Sequence, residues 1–413
     1  MTKRLLKGFR ALDLTNEKGF VCGKTLAAMG VDVIKVERPG GDPSRNIPPF
    51  IDNDPDPDKS LLWMVYNTDK RGITLNLENA KGQDLFKELV KSSDFIIESF
   101  TPGYLEDLGL GYEALSPLNP KIIMTSITPF GQKGPYSRYK GGELIASAMS
   151  GVLLSNGYAD RAPVKEALDA NYFHANGAAI LGSIMAHYHR EATGEGQQVD
   201  VSVQEVSASR NTNNILPYLF DKRMLKRSGD CQWLGLNPAR WIWECKDGYV
   251  WHNLMGGKVG APANQALSQW MDDDGIENPL REIKDWNTYD RSTVTLEEKT
   301  VREKAMAQFF LGHTKKELDT EGRRRGINAA VANTPDEVAE HSQLKARDYW
   351  VELEHQELGR TMPYPGHFFL STETTTKIKR RAPLVGEHNT EVYKELLGLS
   401  DLEITELKNN GVI

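Results

Sequence analysis

Over residues 9–127 short runs of apolar, β-branched residues alternate with stretches of helical period. Phe9–Leu14, Val33–Val36, Phe95–Ile97 and Ile122–Ile127 read as strands, and the segments near Val21–Met29 and Gly82–Val90 read as helices. This alternation predicts a parallel sheet wrapped by helices, with ligand contacts collecting at the strand-to-helix turns. From Asn171 to Arg190 apolar and small residues leave little polar face, which predicts a helix packed on both sides and stopped by Gly194 and Gly196. Val199, Val201 and Val203 then alternate, so Gln198–Val206 reads as a half-buried extended segment. Composition shifts after Asp221. Residues 225–335 are richer in Trp, Lys, Arg and Glu, contain the hairpin-like WIWECKDGYVWHNL and read as a smaller domain between residues 1–224 and 336–413. A last helix is expected near Leu402–Lys408.

The edge of the Val33–Val36 strand carries the first candidate chemistry. In VIKVERPGGDPSR two prolines and two glycines end the strand and leave Arg38 at its C-terminal end, where ligands bind in open α/β sheets. Arg38 there faces a phosphate-bearing ligand or pairs with Glu37 at the surface. The first turn, Thr15–Gly19, lacks the G-x-G-x-x-G spacing, which argues against a nicotinamide or flavin enzyme.

Length, charge and cysteine content narrow the class. A chain of 413 residues accommodates two domains, and a formal charge of -7 gives no electrostatic reason to bind nucleic acid. No apolar run approaches ~18 residues and the N-terminus has no uninterrupted apolar core, so no membrane insertion or export is expected and the protein is expected in the cytoplasm. Cys22, Cys231 and Cys245 are widely spaced, as expected of reduced, partly buried thiols rather than a disulfide framework or a zinc site.

Four further segments are chemically suggestive. Asp169 stands at the entrance to the 171–190 helix, where a carboxylate caps free N–H groups or, ionised, attacks an acyl carbonyl. His174, His187 and His189 share that helix without metal-ligand spacing, so no metal is expected. Gly131 and Gly134 in SITPFGQKGPY permit close backbone approach to a ligand or make a plain turn. Asn67–Arg71 places two cations before the strand-like GITLNL, and its plain reading is a solvated hairpin edge.

In chain order, ALDL, LAAMGVDVIKVERPGGDPSR, YNTDKRGITLNL, FIIESFTPGYLEDLGLGYEAL, NPKIIMTSITPFGQKGPY, HREATGEGQQVDVSVQE, ECKDGYV and RAPLVGEHNTEVYKELLGLS closely resemble the family III CoA-transferases. That group contains formyl-CoA transferase, carnitine CoA-transferase and alpha-methylacyl-CoA racemase. The resemblance implies an α/β fold: a Rossmann-like large domain made from both ends of the chain, a smaller inserted domain, and two protomers interlocked like linked rings. It implies no permanently bound cofactor. A coenzyme A thioester is the substrate, lying against Glu17, Lys18, Arg38, Asn67 to Lys70, Ser99, Phe100, Thr101, Gly131 and Lys133, with Arg38 and Lys70 toward the CoA phosphates.

In the family an aspartate before the helix attacks the acyl-CoA carbonyl and relays the CoA as an enzyme thioester. Asp169 is the one Asp near that place. Counted back from Arg190 it falls two or three residues early, with Asn171 or Tyr172 in the expected position. Asp107 stands where the family often has Arg or Lys, and SGDCQWLGLNPARW lacks the glycine run of some members. Two readings follow. In the first, an active transferase moves CoA from a donor such as succinyl-CoA to a carboxylic acid through Asp169, as a homodimer. In the second, the chain is the catalytically impaired half of a heterodimer with a homologous subunit that carries the nucleophile, as in enzymes of the succinyl-CoA:benzylsuccinate type. A racemase would need a His with an acidic partner, and His174 has no clear one.

Overall fold

In the computed structural model, residues 3–233 and 237–413 are described. Six strands, β1 (Arg10–Leu14), β2 (Asp32–Glu37), β3 (Arg71–Thr74), β4 (Phe95–Glu98), β5 (Ile123–Thr128) and β6 (Gln198–Ser202), pair in parallel in the order β3-β2-β1-β4-β5-β6. Leu12, Ile34, Ile96 and Met124 point to one face of this sheet, and Ala11, Val33, Phe95, Ile97 and Ile123 to the other. Both faces are covered, which is why the strands read as near-continuous apolar runs. The helices that matter for the site are α1 (Phe20–Met29), α2 (Leu61–Tyr66), α3 (Ala80–Lys91), α4 (Glu143–Met149), α5 (Ala170–Thr193) and α6 (Val203–Arg210).

Contacts divide the chain into two units, residues 1–152, 166–212 and 342–413 in the larger and residues 153–165 and 213–341 in the smaller. In the smaller unit β7 (Cys231–Trp233) pairs with β8 (Pro238–Arg240), and the expected hairpin forms from β9 (Ile242–Cys245) and β10 (Gly248–His252). Helices α7 (Gly257–Asp273), α8 (Leu296–Leu311) and α9 (Lys315–Arg325) bury Trp270, Phe309, Phe310 and Leu318 with Trp243. Residues 234–236 of the glycine-poor segment lie outside the described residues. Among the described residues no helix is long and apolar enough to cross a membrane.

Three sequence expectations are corrected. Helix α5 is buried on one face only: Tyr172, Ala175, Asn176, Ala179, Ser183 and Ala186 face inward, whereas Leu181, Met185 and Tyr188 are 61%, 63% and 80% exposed. Its small residues let it lie close to the sheet, and its large ones fall on the other side. The extended segment 198–206 ends at Ser202, whose hydroxyl accepts from Glu205 N at 3.2 Å and caps α6. That Ser-x-x-Glu signal outweighs the valine alternation. Finally, RGIT is no solvated hairpin edge. It is β3, wholly buried, and its open side is covered by the C-terminal segment: Thr74 N donates to Asn389 Oδ1 at 2.8 Å, Gly72 N to His388 Nδ1 at 3.1 Å, and Tyr393 OH to Thr74 O at 2.7 Å.

At the C-terminal end of β1 the fully buried Asp13 receives Lys70 Nζ at 2.7 Å, with Lys35 Nζ 3.8 Å away. Lys70 also donates to Asn67 Oδ1 and Phe20 O, and Lys35 to the carbonyls of Asp13 and Thr15. Burial alone would raise the Asp13 pKa, but Lys70 and Lys35 hold it below the ordinary carboxylate value. Helix α1 reaches this cluster only because residue 23 is glycine: a Cβ there would stand 2.1 Å from Asp13 Oδ2 and 2.9 Å from Lys70 Nζ. Lys70→Met, which leaves Asp13 short of its closest cation, is expected to cost roughly 3–5 kcal/mol in chemical denaturation. Gly23→Ala is expected to lose about 1–3 kcal/mol by overpacking; unchanged midpoints in both variants would remove the cluster as a stabilising centre.

Candidate active site

Between the C-terminal ends of β1, β2 and β4, where the strand order reverses, a cleft of about 580 Å³ is lined by Asn16, Glu17, Arg38, Glu78, Ser99 and Phe100, among others. Asn16 N donates to Ser99 Oγ at 3.0 Å and Ser99 Oγ to Asn16 Oδ1 at 3.0 Å, which joins the turn after β1 to the turn after β4. Ser44 Oγ donates to Glu17 Oε2 at 2.7 Å and fixes that carboxylate on the cleft wall. The structure thus brings Glu17, Arg38, Ser99 and Phe100 together.

Arg38 is exposed, donates from Nε to Gly41 O at 3.2 Å and forms no ion pair among the described residues. The alternative pairing with Glu37 is corrected. Glu37 points inward on the alternating strand and binds Arg45 at 2.7 Å, while Arg45 lies 3.7 Å over the Trp63 ring. Lys70 does not face the cleft either. Its three donors are spent on Asp13, Asn67 and Phe20 O, and both Asn67 and Lys70 are wholly buried. Lys18, Thr101, Gly131 and Lys133 are not among the lining residues. Lys18 contributes backbone, its carbonyl accepting from Asn176 Nδ2, and Thr101 and Lys133 are exposed. Gly131, at φ +82°, makes the turn after β5, where Gln132 N donates to Asp200 at 2.9 Å. Exposed Asp107 is likewise outside the lining.

Two acidic neighbours were not anticipated. Asp42 and Glu78 line the same cleft, and Tyr104 OH lies 3.4 Å from Glu78 Oε1. With Glu37 neutralised by Arg45, Glu17, Asp42 and Glu78 remain against the single cation Arg38. The signal for Glu78 was its position in LNLEN, directly after β3.

The entrance to α5 is built differently from the sequence expectation. Asp169 takes the N-cap position but its side chain makes no capping bond. The buried Glu143 of α4 caps instead: Asn171 N donates to Oε1 at 3.1 Å, Asn171 Nδ2 to Oε1 at 2.6 Å, and Tyr172 N to Oε2 at 3.3 Å. A tertiary partner 28 residues away displaces the local cap. Asn171 Oδ1 lies 3.4 Å from Arg210 Nη2, whose stronger partner is Glu166 at 2.8 Å. Tyr172 is buried, and burial followed by the charges of Glu17, Glu143 and Asp169 pushes its hydroxyl pKa up. Asp169 is exposed and also raises Tyr66, second to burial. His174 is exposed on the same helix, and among the described residues no group of three or more His, Cys, Asp or Glu converges as a metal site would require.

One titrating group sits beneath the cleft. Glu98 ends β4 in register with Ser126, which is in register with Asp200, so the three form a polar row across β4, β5 and β6. Phe100 N donates to Glu98 Oε2 at 2.7 Å. Burial pushes the Glu98 carboxyl up to about 7, helped by the charges of Glu106 and Asp200 and opposed by the hydrogen bond from Phe100 N.

Comparison with known proteins gives a consistent result. The model of CoA-transferase family III matches residues 6–389. The chain is 32% identical to the succinyl-CoA:(R)-benzylsuccinate CoA-transferase subunit BbsE of Thauera aromatica, over 98% of this chain and 97% of that one. It is 29% identical to the succinyl-CoA–L-malate CoA-transferase beta subunit of Chloroflexus aurantiacus, over 99% and 98%. The crystal structure of a CAIB/BAIF family protein from Brucella suis aligns at a TM-score of 0.81 with 26% identity, covering 96% of this chain and all of that one.

Glu98 sets a pH dependence with a defined sign. A carboxyl raised from 4.5 to about 7 in the folded state stabilises fully below its unfolded pKa, and that contribution is lost as pH rises to about 7. Wild-type stability is expected to fall by about 3 kcal/mol from this group between pH 4.5 and 7. Glu98→Gln should flatten that part of the curve; parallel wild-type and variant curves would remove Glu98 as the source.

Proposed function

We propose, on the premise that this chain belongs to CoA-transferase family III and is an enzyme of that class, that it is one subunit of a heteromeric transferase whose homologous partner carries the nucleophilic aspartate. The pair moves CoA from an acyl-CoA donor such as succinyl-CoA to a carboxylic acid. The observation that carries this reading is the α5 entrance: Asn171 and Tyr172 stand where the nucleophile is expected, and the Asn171 amide is bound to Glu143. An amide has no charge with which to attack a thioester.

The cleft supports the same reading. A CoA carries several phosphate charges, and three carboxylates against one guanidinium oppose them. Exposed Leu181, Met185 and Tyr188 on α5 support a partner chain across that face. Two of the similar proteins are named as subunits. In the partner, following the family's chemistry, an aspartate carboxylate attacks the thioester carbonyl and expels CoA thiolate, leaving a mixed anhydride. The thiolate attacks the aspartyl carbonyl and releases the first acid. The second acid then attacks the aspartyl thioester, and the returning thiolate yields the new acyl-CoA and the free aspartate.

A second reading keeps Asp169 as the nucleophile of a homodimer. Its support is that Asp169 is exposed and does not cap α5. Incubation with succinyl-CoA, borohydride reduction and peptide mass analysis separates the two. The heteromeric reading expects an unmodified Asp169 peptide and CoA exchange only when a second homologous chain is co-expressed. Exchange by this chain alone, with Asp169 reduced, would overturn it.

Charge in the cleft is testable separately. Glu78→Lys should tighten CoA binding to this chain by roughly tenfold at low salt, with the gain shrinking as salt screens it. Equal affinity in both forms would show that CoA phosphates do not meet Glu78.

A further inference from the structure

Within the smaller unit a second pocket lies among Arg240, Trp241, Trp243, Tyr289, Lys299 and Arg302, closed by Leu254, Val294 and Met306. Arg240, Arg291, Lys299 and Arg302 line it. Three carboxylates answer them: Asp230 at 3.2 Å from Arg240, Glu303 at 3.2 Å from Lys299, and Glu298 at 3.1 Å from Arg302. Arg291 forms no ion pair among the described residues, and neighbouring Asp290 is turned to the amide and hydroxyl of Ser292. Arg291 is thus the one lining cation without a direct ion-pair partner among the described residues.

Two donors are also left over. Among the described residues the indole Nε1 of Trp241 and the Nε of Arg240 are buried without a hydrogen-bond acceptor, the contact of Arg240 with Asp230 lacking hydrogen-bond geometry. A buried donor left unmade costs about 1–3 kcal/mol, so two in one pocket with an arginine that has no direct ion pair favour an anionic acceptor. The aromatic frame holds both in place: Trp241 packs edge-on to Trp251 at 5.9 Å, and the Arg240 guanidinium lies 5.5 Å over the Trp243 ring.

Size and polarity select the ligand. Free space of about 50 Å³, against the roughly 10–15 Å³ that one water-sized group requires, admits only a few non-hydrogen atoms. The apolar walls of Leu254, Val294 and Met306 suit a short hydrocarbon tail. We propose that this pocket binds the carboxylate of a short aliphatic monocarboxylic acid, its oxygens meeting Trp241 Nε1 and the Arg240 guanidinium. The site goes beyond the transferase reading, since it requires neither CoA nor a nucleophile in this chain.

The test is calorimetric titration of the full-length chain with propionate at constant ionic strength. Saturable binding of one propionate per chain is expected in the millimolar range, a scale consistent with so few ligand atoms. Trp241→Phe keeps the ring and deletes the N–H, and Arg240→Gln removes the charge; each should weaken propionate about tenfold or more. 1-Propanol should not bind. Absence of saturable binding, unchanged affinity in Trp241→Phe, or equally tight binding of inorganic phosphate would each overturn the proposal. If Arg240→Gln fails to fold, Trp241→Phe alone decides. Because no turnover is measured, failure here leaves the transferase reading intact.

Discussion

One buried aspartate anchors the first three strands of the sheet. Asp13 is the penultimate residue of β1, Lys35 comes from β2 and Lys70 from the residue before β3, so a single carboxylate ties three neighbouring strands together. Two ammonium groups on one carboxylate would leave a buried charge uncompensated, and the carbonyls of Asp13, Thr15 and Phe20 with the Asn67 amide oxygen supply the remaining acceptors. The turn after β1 is therefore held by side chains reaching its carbonyls. A dinucleotide-binding turn uses glycines to bring its backbone against a pyrophosphate. This turn instead uses Lys35 and Thr15 to hold itself, and exposes Glu17 to the cleft.

That anchor also explains which site residues the sequence could place. The parallel sheet and the gathering of ligand contacts at its strand-to-helix turns follow from the alternation of apolar runs and helices, and the motif from Val33 to Arg45 places Arg38 at the strand's C-terminal end without showing that Glu37 turns inward to Arg45. What period does not fix is which of two adjacent cations is buried. Lys70 beside Arg71 reads as a charged edge. Only the distant Asp13 draws Lys70 inside, and only the C-terminal residues 388–393 turn β3 into a covered strand. Arg45, the last residue of that motif, is similarly structural because Glu37, Asp58 and Pro383 O surround it.

The same limit applied to α5. Its length and end were legible from small residues and Gly194, but its burial was not, since helical spacing shows that large residues share a side without showing what covers them. Its cap was hidden for another reason. Asp169 is a good capping residue at the right place, and a buried glutamate 28 positions before Asn171 outcompetes it.

The outcome of that competition constrains the chemistry of this chain. Glu143 receives two backbone N–H groups and the Asn171 amide, the last at 2.6 Å. An aspartate at 171 would set one carboxylate against another at that distance, and one of the two would have to hold a proton. A nucleophile needs its lone pair and its charge, while a cap needs the same of Glu143. With asparagine at 171 the helix start is satisfied through Glu143. A carboxylate at 171 would require Glu143 to move or to yield its cap to another acceptor.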